Sequence, residues 1–127
     1  MRVSVSNLFK MDPDMPPCQA KIGQKVPNFA QFCQNGDKID FHHWLGDSWG
    51  LFVSFSAAFS PVCTSELISF SGAEREFSVR NVKLIGNVCD EALNINEWIK
   101  DVVAFGKLKE NPKMTLLADA DRKVAHK

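Results

Sequence analysis

Residues 49–67 read WGLFVSFSAAFSPVCTSEL, and the succession of residue types along them decides the fold. Trp49 to Phe55 is a continuous apolar run of strand length, which suits a central strand covered on both faces. Ser60 and Pro61 read as an N-cap followed by proline at the first helical position, where its missing N–H has no partner to lose. Beyond them, Leu67, Phe70, Ala73 and Phe77 are spaced for one apolar helical face, which predicts a helix over about 62–77. A strand, a short loop and a helix follow one another, and Cys63 falls in the first turn of that helix.

The flanking sequence extends the pattern. Upstream, VPNFAQFCQNGDKIDFHHWLGDSWG predicts two short extended pieces around a turn at Asn35-Gly36-Asp37, with Phe29, Phe32, Ile39 and Phe41 as apolar contacts. Downstream, VKLIGNVC predicts a second strand over 82–89. Ile95, Trp98, Ile99, Val102 and Val103 then follow helical spacing, with an end expected near Gly106. MTLLAD reads as a third strand, and ADRKVAHK as the opening of another helix. Strands alternating with helices imply right-handed crossovers and a mostly parallel sheet, hence an α/β sandwich. Ligands in such sheets sit beyond the carboxyl ends of the strands, where Cys63 lies.

Composition limits the function. The chain of 127 residues has 45% hydrophobic and 24% charged residues, enough for a single core. Its 15 basic and 15 acidic side chains cancel, leaving no footprint for nucleic acid or an anionic membrane. No run approaches the ~18 apolar residues of a membrane span. Residues 1–20, with Pro13, Pro16 and Pro17, read as a flexible N-terminal extension, and 21–127 as the folded domain. The extension has no apolar h-region. Arg2, Ser4, Ser6 and Lys10 fit a mitochondrial presequence, but Asp12 and Asp14 count against one, so a cytoplasmic location is expected. The histidines and cysteines do not fall at zinc-binding spacing, no glycine-rich phosphate loop is present, and reduced thiols are the expectation.

Cys63 has two readings. Free cysteine is among the most buried residue types and can serve as a small hydrophobe. At a helix N-terminus, however, unpaired N–H groups and the macrodipole favour a thiolate. Ser60 and Thr64 would add hydroxyl donors there. Among the other cysteines, Cys89 ends the second strand, either packed or placed to resolve an oxidised Cys63; Cys18 and Cys33 have no positional argument.

GDSWG followed by LFVSFSAAFSPVCTSEL resembles the peroxiredoxins, in particular their one-cysteine branch. The resemblance continues through RNVKLIG, NEWIKDV and LLADADRKVA, over about residues 22–127. It implies a thioredoxin-like α/β sandwich with a central mixed sheet. It also implies a thiol-dependent peroxidase acting on hydrogen peroxide and organic or lipid hydroperoxides. Cys63 would be the peroxidatic cysteine, Ser60 would stand at the family threonine, and Glu66 would match the glutamate that orders the site's arginine. No bound cofactor is implied, only an external thiol reductant such as glutathione. The chain departs from the motif at Phe55, Ser56 and Ala58, where histidine, proline and aspartate are usual. The family's catalytic arginine belongs to a strand beyond Lys127. A C-terminally truncated form lacking the last strands and the C-terminal domain is therefore expected, as a homodimer or paired with a full-length homologue. A catalytically weak or inactive binding remnant is the alternative.

The resemblance also implies a second pattern. Ser48 in GDSWG, with His42 and Asp47 upstream, matches two members of the branch's acyl-hydrolase triad and its His-x-x-x-x-Asp acyltransferase pattern. The third triad member would lie outside this chain. Read from the residues alone, Asp47 and Ser48 are a turn before the strand and His42 is a surface residue.

Overall fold

The computed structural model describes residues 21–127; the extension read over 1–20, with Cys18, lies outside them. The elements are β1 (Ala30–Phe32), β2 (Lys38–Asp40), α1 (Phe41–Leu45), β3 (Trp49–Phe55), α2 (Pro61–Ser78), β4 (Val82–Val88), α3 (Ala92–Gly106) and β5 (Thr115–Ala118). The strand, helix and turn expectations over 30–118 hold, with helix ends moved by one to three residues, except that Phe41–Leu45 forms a short helix, capped by the Asp40 side chain, that those expectations do not include.

β3, β4 and β5 form a parallel sheet in that order, with Trp49 opposite Val82 through Phe55 opposite Val88, and Ile85 opposite Thr115 through Val88 opposite Ala118. β1 and β2 make an antiparallel hairpin. It docks on β5 through an antiparallel bridge between Cys33 and Leu117, and Gln34 N–H donates to the Leu116 carbonyl at 2.9 Å. The sheet is mixed by virtue of this bridge.

One expectation is overturned. β4, not β3, is central: it is paired on both sides and buried from Leu84 to Val88. β3 is an edge among the described residues, with Trp49 76% and Phe52 41% exposed. An apolar run signals burial on two faces but cannot say how many neighbours the strand will have.

Strand alternation sorts side chains into two cores. On one face Phe55, Leu84, Val88 and Leu116 meet Leu67 of α2 and Ile95, Trp98 and Val102 of α3. On the other, Ile85 and Leu117 meet Phe29, Cys33, Phe41 and Val124. Phe55 and Trp98 are fully buried and pack edge to face at 5.8 Å. Burying a Phe side chain completely contributes about 1.5–3 kcal/mol. This crossing needs Gly86, because a Cβ there would stand 2.8 Å from the Phe55 ring and 2.7 Å from Leu116.

α3 ends at Gly106, as expected, but the cap is Lys107 in the left-handed conformation, φ 49°. Gly106 is instead required by packing, since its Cβ would lie 2.9 Å from Ile68 of α2. Residues 119–127 form turns and no helix. The buried Asp119 carboxylate accepts from the backbone N–H groups of Val124 (2.9 Å) and Ala125 (2.8 Å), and Arg122 takes φ 58°. A side chain that holds those amides folds the segment back on itself.

Candidate active site

The site is built where β3 ends and α2 begins. Phe59 adopts φ 61°, a conformation costing roughly 1–2 kcal/mol for an L-residue, and it turns the chain into the helix. Ser60 has the extended N-cap backbone, φ −67° and ψ 130°, and its carbonyl accepts the first helical bond from Thr64 N–H at 2.8 Å. Its hydroxyl does not cap the helix, contrary to expectation. It acts instead on the Cys63 thiol, whose pKa it lowers.

Cys63 is 5% exposed, packed among Phe55, Ala58 and Leu67. The Ser56 hydroxyl lies 3.6 Å from its sulfur. Burial pushes the thiol pKa up, but the Ser60 and Ser56 hydroxyls and the backbone N–H groups of Ser56 and Ala57 outweigh it, leaving the pKa below the ordinary thiol value. Both readings of Cys63 therefore describe the same atom: it is buried, and its thiolate is stabilised. Among the described residues, no cation contributes to that lowering.

The first turn of α2 is tied to α3. The indole N–H of Trp98 donates to Thr64 Oγ1 at 2.8 Å, and the Thr64 hydroxyl donates to the Ser60 carbonyl at 2.8 Å. The Thr64 hydroxyl is thereby committed to backbone and does not face the sulfur. Helical spacing places Trp98 on the apolar face of α3 but carries no sign of this bond, whose partner lies 34 positions away. Ser56 was noted only as a departure from the motif. The available signal was chemical: serine there offers a hydroxyl and an N–H, and proline offers neither.

The remaining candidates lie elsewhere. Glu66 is exposed on α2, beside a shallow depression lined by Ser65, Ser69 and Phe70, and makes no ion pair among the described residues. Arg80 is paired with Glu76 at 2.8 Å. His42 donates from Nε2 to the Val26 carbonyl at 2.9 Å, while the Ser48 hydroxyl donates to Asn81 Oδ1 at 3.0 Å. These two are thus committed to other partners, and Asp47 is exposed at the turn before β3. His42 lines a groove of about 690 Å³ with Phe29, Phe52, Val124 and Lys127, on the sheet face opposite the α2–α3 layer. Cys89 is half-buried past β4, its thiol pushed up by burial and then by Asp119, with Arg122 opposing. Burial and Asp37 push Cys33 up as well. Only Cys63, among the described cysteines, has its pKa lowered.

Residues 22–127 match the AhpC/TSA family. The chain belongs to that family. Within it, the chain is 42% identical over 105 residues to a 1-Cys peroxiredoxin of Dictyostelium discoideum, covering 83% of this chain and 42% of that protein. It is 40% identical over 109 residues to peroxiredoxin-6 of Gallus gallus, covering 84% and 48% respectively. Among solved structures, a yeast mitochondrial 1-Cys peroxiredoxin superposes with a TM-score of 0.79 at 40% identity, over 84% of this chain and 49% of that one. A peroxiredoxin 6 of Arenicola marina also gives 0.79, at 37% identity over 84% and 48%. The fold is thus the thioredoxin-like fold of the AhpC/TSA peroxiredoxins, and the chain spans about half the length of the relatives it matches.

Proposed function

We propose that this AhpC/TSA chain is a thiol-dependent peroxidase acting on hydrogen peroxide and organic or lipid hydroperoxides. The observation that carries this reading is the environment of Cys63, a helix-terminal thiol whose pKa is lowered by converging donors while the other described cysteines are raised. The Cys63 thiolate attacks the terminal oxygen of ROOH. The S–O bond forms as the O–O bond breaks, RO⁻ leaves and takes a proton to become ROH, and the sulfur remains as sulfenic acid. The Ser60 hydroxyl, already at the sulfur, is placed to hold the peroxide oxygen as charge moves onto it. Regeneration uses an external thiol such as glutathione; burial pushes the Cys89 thiol up, which makes it a poor resolving nucleophile. The yeast relative has been studied for thiol resolution through glutathione and thioredoxin systems. Reduced thiols at Cys33, Cys63 and Cys89 are consistent with a cytoplasmic location.

Intact mass after brief exposure to micromolar hydrogen peroxide with a sulfenic-acid trap tests the reading. One rapid adduct, absent from Cys63→Ser, is the expected result. Adducts no faster than on a free thiol, or distributed over Cys18, Cys33 and Cys89, would refute it.

A second reading has its own support: among the described residues no cation lowers the Cys63 pKa, and the exposed Glu66 makes no ion pair. A charged donor missing from such a site costs on the order of 10²–10³ in rate. On that reading the chain is a weak or inactive partner of a full-length homologue, and co-elution with one in size exclusion is the discriminating measurement.

A further inference from the structure

We infer that Ser56 is a catalytic residue of this chain, one that donates its hydroxyl to the Cys63 thiolate. The inference rests on the peroxidase reading and deepens it.

Three features of the site support it. Ser56 follows the last residue of β3, so its backbone is anchored by the β3–β4 ladder just before the chain departs from the sheet. Its Oγ lies 3.6 Å from Cys63 Sγ, within hydrogen-bond range for sulfur, and once the thiol has ionised only the hydroxyl can be the donor. The backbone of Ser56 and Ala57 and the Ser60 hydroxyl also lower the pKa of this thiol.

The chemistry follows from charge. Donors to a thiolate lower its proton affinity and raise the fraction ionised at neutral pH. They remain on the sulfur during attack, so Ser56 raises the supply of nucleophile. A proline at this position would have neither a hydroxyl nor an N–H and would remove both contacts. Ser56 is itself exposed, so replacing it disturbs no core residue.

The test measures thiolate formation separately from turnover. Alkylation of Cys63 by iodoacetamide is followed from pH 5 to 9 in the wild type, Ser56→Ala, Ser56→Thr and Ser56→Pro, each with Cys18, Cys33 and Cys89 replaced by serine. Ser54→Ala is the control, its side chain lying in the groove on the opposite face of β3. Below the thiol pKa, Ser56→Ala should alkylate about three- to tenfold more slowly, in keeping with one hydrogen bond to a charged group. Ser56→Thr should restore the rate, Ser56→Pro should be slower than Ser56→Ala, and Ser54→Ala should match the wild type. If the Ser56→Ala profile overlies the wild type, Ser56 has no such role, whatever the proline variant does. If Ser56→Ala shifts the profile while wild-type Cys63 still reacts with peroxide no faster than a free thiol, the Ser56 contact stands and the peroxidase reading falls.

Discussion

At Cys63, burial and hydrogen bonding act in opposite directions, and the four donors from Ser60, Ser56 and Ala57 prevail. Because the folded pKa lies below the unfolded one, the folded state binds fewer protons between the two values. The stability this thiol contributes is therefore complete above the unfolded thiol pKa and is lost as pH falls through the lowered folded value. Urea unfolding of wild type and Cys63→Ser should give a difference that grows in favour of the wild type from neutral towards mildly alkaline pH. A difference that stays constant across that window would contradict the direction of the shift.

The connection between α3 and α2 is a property of elements. Trp98 fills the core with its ring and holds the first turn of α2 with its N–H, through Thr64. Trp98→Phe keeps most of the ring and removes the donor, so it should cost about 1 kcal/mol and lower the melting temperature by a few degrees. If the Ser60 carbonyl and hydroxyl are positioned by this link, Cys63 alkylation should slow as well. Gly86→Ala tests the sheet–helix contact. A methyl 2.7–2.8 Å from Leu116 and Phe55 cannot be accommodated without displacing them, and an overpacking cost of about 1–3 kcal/mol should appear in denaturant unfolding. An unchanged midpoint would mean that the Phe55 ring has another place to go.

For the whole molecule, the edge position of β3 among the described residues is the weak point. Trp49–Phe55 carries no charge and no proline, the devices that keep sheet edges from pairing. Trp49 and Phe52 are exposed beside it. The 127-residue chain alone should accordingly melt below about 45 °C, the lower end of the mesophile range, and should self-associate as concentration rises. Trp49→Lys should reduce light scattering and the apparent mass in size exclusion without altering Cys63 alkylation. Monomeric behaviour and a cooperative transition above that temperature would show that the edge is tolerated.

Much of this protein is determined locally. The apolar run 49–55, the Ser60-Pro61 helix start, the Asn35-Gly36-Asp37 turn and the spacing of Ile95, Trp98, Ile99 and Val102 depend on propensities and periodicities within a few residues, and all are readable without a structure. The position of Cys63 in the first turn of α2 follows from them. Tertiary structure decided the rest. Whether β3 is central or an edge depends on partners distant in the chain. Residues 119–127 form turns because the buried Asp119 takes their amides, and Gly106 serves a helix contact because Ile68 lies against it. The donors at Cys63 come from both sides of the β3–α2 loop, and their direction is set by packing, which residue spacing does not encode. Sequence established which residue carries the thiol, and the fold established which groups hold its charge.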